Sequence, residues 1–152
     1  MSRSSLDGPR SSSTAPRTLT VEVSTPAGLA VYEGIRRVRL EATDGSRGVL
    51  PGHEPARLTF VAGPIELWEG EPEDERARYV ATEGGVALVQ PRGVLLVCRW
   101  AAVADSLPAL REHVLARRAQ RALAEEQARA LAHRHEVATQ RALAGLRREV
   151  ST

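Results

Sequence analysis

Lysine is absent from this chain, and all 21 basic side chains are arginine. That is first a mark of GC-rich coding and second a supply of fixed guanidinium charge. Aromatic residues are scarce at 3 %, so Val, Leu and Ala must build most of any core. Trp68 and Trp100 are expected half-buried, at edges or at the junction with the C-terminal segment. The single cysteine, Cys98, excludes an internal disulfide, and its apolar run Val94-Leu95-Leu96-Val97-Cys98 marks it as inert core. No apolar stretch approaches the ~20 residues that span a bilayer, and Met1-Ser2-Arg3-Ser4-Ser5 lacks the hydrophobic segment of a secretory signal. The expectation is a cytoplasmic chain that meets a membrane only through partners.

Net charge is +2 over 152 residues, but it is unevenly spread. The tail to Arg17 is basic, Thr18 to Ala104 slightly acidic, and the end from Asp105 basic. Such a balance is too mild for an obligate nucleic-acid binder. Residues 1–17, rich in Ser, Pro and Arg, predict a disordered extension. Residues 18–104 then read as β structure. Leu19, Val21 and Val23 alternate with Thr20, Glu22 and Ser24 at the period of a half-buried strand. Further runs follow at 30–32, 35–42, 57–61, 65–68, 76–81, 85–89 and 93–100. Between them lie Pro26-Ala27-Gly28, Asp44-Gly45, Gly63-Pro64, Glu69-Gly70, Glu83-Gly84 and Pro91-Arg92-Gly93, all credible turns. Many short strands with frequent turns predict an antiparallel β-sandwich or barrel.

From Asp105 the pattern becomes helical, giving an α+β chain with a helical domain over 105–152. Asp105 or Ser106 can cap the helix and Pro108 suits its first turn. Leu107, Leu110, Val114 and Leu115 form one apolar stripe, and Leu131, Ala138, Leu143 and Leu146 another. With no Gly or Pro from 109 to 144, the segment reads as one helix of ~60 Å or as a hairpin. Weak apolar patterning places the bend of a hairpin around Ala124 to Ala130.

The segment with most conformational constraint is Gly48-Val49-Leu50-Pro51-Gly52-His53-Glu54-Pro55, where glycine and proline fix the backbone around one histidine. His53 lacks the accompanying nucleophile turn, metal cluster or phosphate loop of a catalytic base, so a structural or interface role is expected. Gly84-Gly85 has no helix-opening context for a nucleotide loop and reads as a tight strand connection. His133 and His135 fall on different faces of a helix, with Glu136 beside them, so no metal site is expected. The acidic group Glu66, Glu69, Glu71, Glu73, Asp74 and Glu75 lacks calcium-loop spacing and reads as a solvated hairpin tip. Arginines 111, 117, 118, 121, 129, 134, 141, 147 and 148 run through the helical part, interspersed with carboxylates that can pair at i, i+4, Glu125 with Arg129 for example. Such helices grip phosphates or acidic protein surfaces, and the acidic-protein reading fits better.

Three segments together resemble the epsilon subunit of F-type ATP synthases: Leu19-Thr20-Val21-Glu22-Val23-Ser24-Thr25-Pro26, then Thr43 to Pro55 with its Gly-x-Leu-Pro-Gly-His element, then Glu83-Gly84-Gly85-Val86-Ala87-Leu88-Val89. The resemblance spans roughly residues 18–104 and implies a β-sandwich followed by a helical hairpin. It further implies a rotor part of the central stalk without catalysis or cofactor, whose sandwich binds the gamma subunit and rests on the c-ring. The loop Asp44 to His53, including Arg47, Gly48, Leu50, Pro51 and Gly52, would make those contacts. Arg117, Arg118, Arg121 and Arg129 would meet the alpha and beta subunits and restrain ATP hydrolysis.

The implied location is peripheral, on the cytoplasmic face of the bacterial inner membrane, held through the complex. Arg47 stands where family members often carry an acid. The family's ATP-binding Ile/Leu-Asp-x-x-Arg-Ala motif lacks its Asp around Leu115 to Ala122, so the resemblance gives no support for ATP sensing. The Ala/Arg-rich end, particularly Leu107 to Arg118, is similar to epsilon subunits of the alternate, sodium-type bacterial enzymes. Two other classes remain open on residues alone: a free-standing adaptor binding RNA or acidic proteins, and a hydrolase using His53.

Overall fold

The computed structural model describes residues 17–150, with side chains as far as Arg147. The expected N-terminal extension lies outside the described residues, apart from Arg17. The elements are β1 (Leu19–Thr25), β2 (Gly28–Ala42), β3 (Gly45–Val49), β4 (Ala56–Glu69), β5 (Arg76–Gln90), β6 (Gly93–Cys98), β7 (Ala101–Ala104) and α1 (Leu107–Val150). The α+β class read from the sequence is the one observed, a β-sandwich followed by a long helix.

Leu19, Val21 and Val23 of β1 are buried and the residues between them half-buried, as the alternation requires. Three other strands are longer than their sequences suggest. β2 joins the expected runs 30–32 and 35–42, β4 runs through Gly63-Pro64, and β5 runs through Glu83-Gly84. Those dipeptides bend strands instead of ending them. At Gly84 the backbone takes φ +91°, which L side chains rarely adopt. Gly85 meets a different constraint, since a Cβ there would lie 2.9 Å from Phe60 Cζ and 3.1 Å from the Val97 carbonyl carbon, with the Val97 oxygen closer still.

These bends let one sheet close on itself. Its order is β1-β6-β5-β4-β2-β3, with β7 on β5 and β2 returning to pair with β1. The first half of β2 pairs with β1, and the second with β3 and β4. β5 likewise splits between β7, through Tyr79–Thr82, and β6, through Gly85–Gln90. The run expected as a single strand over 93–100 therefore ends at Cys98, because its continuation as β7 pairs with the other half of β5. All pairs are antiparallel except β1 with β6. The enclosed core holds Leu19, Ile35, Leu40, Ile65, Leu67 and Leu96 fully buried, with Phe60 as its aromatic member. Cys98 is buried among them, and burial pushes its thiol up from its ordinary value. Trp68 and Trp100 are half-buried, as expected.

The acidic hairpin tip is exposed over residues 70–74, as expected of a solvated loop, and carboxylates of the group also pair with arginines. Glu71 pairs with Arg36 at 3.3 Å, Glu75 with Arg37 at 3.1 Å, and Glu69 with Arg78 at 3.1 Å. Arg37 also stacks 4.2 Å from the Trp68 ring centroid, while Trp68 Nε1 donates to Glu66. Arginines of β2 thus fasten the β4–β5 turn across the sheet.

The chain divides into two units at Leu110/Arg111. Helix α1 starts where its cap predicts: the Ala109 N–H donates to Ser106 Oγ at 3.3 Å and the Leu110 N–H to the Ser106 carbonyl at 3.0 Å. It then continues for 44 residues, ~66 Å, with no bend at Ala124 to Ala130. Alanine-rich composition sustains the helix where apolar patterning is weak. Leu115, Leu123, Leu131, Leu143 and Leu146 are each more than half exposed.

Gly85→Ala should destabilise the sheet by about 2–4 kcal/mol, because the added methyl drives β5 away from β6 and Phe60. In a domain of this size that lowers Tm by ~10–20 °C in a thermal melt. A melt unchanged within a degree or two would show that the close approach does not constrain the fold.

Candidate functional site

Strands β2 and β3 form a hairpin in register from Val38↔Val49 to Ala42↔Gly45, turned at Thr43-Asp44. The expected loop from Asp44 to His53 is therefore a strand between two turns. Gly-Ser-Arg-Gly carries no apolar alternation, and β3 exists because it pairs with β2 and because Val49 is fully buried. A strand of this length separates the two ends of the candidate site by ~17 Å.

At one end, Asp44 and Arg47 close the turn on each other. Arg47 Nε donates to Asp44 Oδ1 at 3.4 Å, and Arg47 Nη2 donates to Asp44 Oδ2. The Arg47 hydrogen bond and charge hold the Asp44 carboxyl below its usual value, and the same bond raises Arg47. The Thr43 N–H donates to the Thr59 carbonyl at 3.1 Å, and Arg39 Nε to Ser46 Oγ at 3.3 Å, which fix the hairpin to its neighbours.

At the other end, Leu50 is 58 % exposed above a tightly bonded loop. Gly52 takes φ +83° and its N–H donates to the Pro91 carbonyl at 2.8 Å. The His53 N–H donates to the Leu50 carbonyl at 3.1 Å. His53 Nδ1 lies 2.7 Å from the Glu54 carbonyl oxygen, which can only accept, so the proton sits on Nδ1. That ring bonds to backbone and not to a nucleophile or carboxylate, the arrangement of a loop brace.

On α1, Arg121 Nε donates to Glu125 Oε1 at 3.3 Å. Arg129 instead donates to the backbone carbonyl of Glu125 at 3.3 Å, so the ion pair expected between those two residues is replaced by the one with Arg121. Arg118 is exposed and Arg117 half-buried. Among the described residues no group of three His, Cys, Asp or Glu side chains is placed to hold a metal ion, and no helix is long and apolar enough to cross a membrane.

One surface escaped the sequence reading. Register aligns Leu29, Ser24, Val97, Val86 and Thr59 across the sheet, and beside that row Val31, Glu22, Leu95, Leu88 and Arg57. Leu29, Val31, Val97 and Leu88 are exposed on it. The signal was the unbroken apolar run Val94 to Cys98, which lacks the alternation of a strand wet on one face.

Residues 18–104 match the β-sandwich domain of the ATP synthase delta/epsilon chain. The chain is also 31 % identical over 127 residues to the ATP synthase epsilon chain of Bacillus cytotoxicus, covering 84 % of this chain and 92 % of that one. It belongs to the epsilon-subunit family of F-type ATP synthases. The epsilon chain of Bacillus mycoides is similar to the same extent, at 31 % over 127 residues. The fold also matches, at TM-score 0.52 and 20 % identity over 74 % of this chain and 73 % of the other, a chain in the cryo-EM structure of the Euglena gracilis mitochondrial ATP synthase OSCP/F1/c-ring in rotational state 1.

Because Asp44 is depressed by its partner, its folded-state value lies below the unfolded one. The pair therefore contributes stability above the unfolded value, and that contribution is lost as pH falls through the folded value. A carboxyl-carbon NMR titration should give an Asp44 midpoint below the ordinary Asp value of about 3.9. In Arg47→Gln the midpoint should return to it, and equal midpoints in the two proteins would dissociate Asp44 from Arg47.

Proposed function

We propose that this chain is a non-catalytic rotor subunit in the central stalk of a bacterial ATP synthase. Its β body, residues 18–104, connects the gamma subunit to the c-ring and so couples ion flow to ATP chemistry. The observation that carries this reading is the likeness to epsilon chains over 92 % of their length, with the braced β2–β3 region inside the matched domain. A rotor element under torque needs a surface that keeps its shape, and both ends of β3 are hydrogen-bonded to other strands or turns.

In this reading Asp44, Arg47 and Gly48 at the hairpin, with Leu50, Pro51, Gly52 and His53 beyond β3, meet the c-ring and the foot of gamma. The apolar outer face around Val97 and Leu88 supplies the larger gamma contact, since exposed aliphatic patches of this kind mark protein interfaces. Residues 105–152 act as a regulatory arm. An uninterrupted helix bearing Arg117, Arg118, Arg121 and Arg129 can reach the acidic surfaces of alpha and beta and hold back ATP hydrolysis. The chain contributes no bond chemistry, binds no cofactor, and is held peripherally on the cytoplasmic side of the inner membrane through the complex.

An affinity-tagged full-length chain should co-purify with gamma and c-ring subunits from detergent-solubilised membranes. Recovery of nucleic acid or unrelated proteins in their place, lost steeply with salt, would replace the rotor reading by an adaptor. Removing residues 106–152 should leave assembly intact and raise ATP hydrolysis by the purified complex severalfold. Equal hydrolysis with and without the helix would remove the brake and leave the coupling role standing.

A further inference from the structure

The Asp44–Arg47 pair leaves one side of a guanidinium in use and the other open. Asp44 engages Nε and one N–H of Nη2, side-on. A guanidinium carries five N–H donors, so both N–H groups of Nη1 and the second of Nη2 remain, forming the outward fork. Asp44 is the hydrogen-bonded partner of Arg47 among the described residues, and both side chains are about half exposed. The approach to that fork is open: β3 ends the sheet order, and half of the Arg47 side-chain surface is exposed.

We propose that Arg47 is a pre-oriented donor for a carboxylate on the protein surface against which this hairpin seats. Arg47 bonds both oxygens of Asp44, so the acid nearest the turn already has a cationic partner. Arg39 is directed to Ser46, and the exposed Glu41, paired with Ser46 across the hairpin, lies on the face opposite to Arg47. An arginine already ordered by a neighbouring carboxylate loses less rotamer freedom when a second acid binds it. Its planar fork accepts that acid in two parallel hydrogen bonds. This inference rests on the proposed seating of the hairpin in the complex and adds the chemistry of the surface it meets.

The test titrates full-length chains against the purified ATP synthase depleted of this subunit, at low and at physiological salt. Arg47→Gln should weaken binding about tenfold. Arg47→Lys should weaken it nearly as much, since an ammonium keeps the charge and loses the fork. Asp44→Asn should weaken it less, by about two- to threefold, because the charge and the fork remain while the carboxylate that orders them is lost. The opposite pattern, with Asp44→Asn weakened and Arg47→Gln unchanged or tighter, assigns a basic partner and overturns the proposal. So does equal binding by all four proteins, in which case the tip touches nothing while the rotor reading stands. Arg47-dependent co-sedimentation with phosphatidylglycerol vesicles, with unchanged affinity for the complex, overturns it in favour of a lipid phosphate. A wild-type chain that does not bind the depleted complex overturns the rotor reading along with it. Circular dichroism of each variant should match wild type, since both side chains are half exposed on the β2–β3 hairpin.

Discussion

The carbonyl of Val97 occupies the space that a side chain at position 85 would need, and the closed sheet is built around that contact. β5 must serve two neighbourhoods, pairing through Tyr79–Thr82 with β7 and through Gly85–Gln90 with β6. Passing from one to the other requires a bend that keeps the strand hydrogen-bonded throughout. Gly84 supplies the backbone angle and Gly85 the clearance, and Phe60 packs against the place left by the missing side chain. Closure then brings β1 between β2 and β6, where Val21, Val23, Val94 and Leu96 are sealed from water. A chain so poor in aromatics can form a tight core this way, because a ring of strands encloses small aliphatic side chains on every side.

Local chemistry made much of this readable beforehand. The alternation of β1, the Ser106 cap and the burial of Cys98 each depend on a few neighbouring residues, and each is found where the sequence places it. What was not readable depends on pairing across the chain. Gly63-Pro64 and Glu83-Gly84 have turn composition, yet pairing with flanking strands makes each a bend within a continuous strand. β3 has almost no apolar pattern and is a strand only because β2 is beside it. The acids from Glu66 to Glu75 gave no hint of Arg36, Arg37 or Arg78, which reach them from other parts of the sequence.

The candidate site shows the same division. Glycine and proline between Gly48 and Pro55 announced a braced segment, and bonds from Gly52 and His53 supply the bracing. That the brace has two ends, with Asp44 and Arg47 at the far one, follows from the hairpin and not from composition. The apolar outer face escaped notice because a residue run such as Val94 to Cys98 looks the same whether its second face is covered by this chain or by another.

Leu107, Leu115, Leu123 and Leu131 recur at every eighth residue of α1. In an α-helix that step advances ~12 Å and turns the direction of each leucine by ~80°. The leucines therefore climb the rod like treads of a spiral stair, each looking toward a different quarter. A flat neighbour can hold one or two of them at most, so a groove that grips them all must itself wind around the rod.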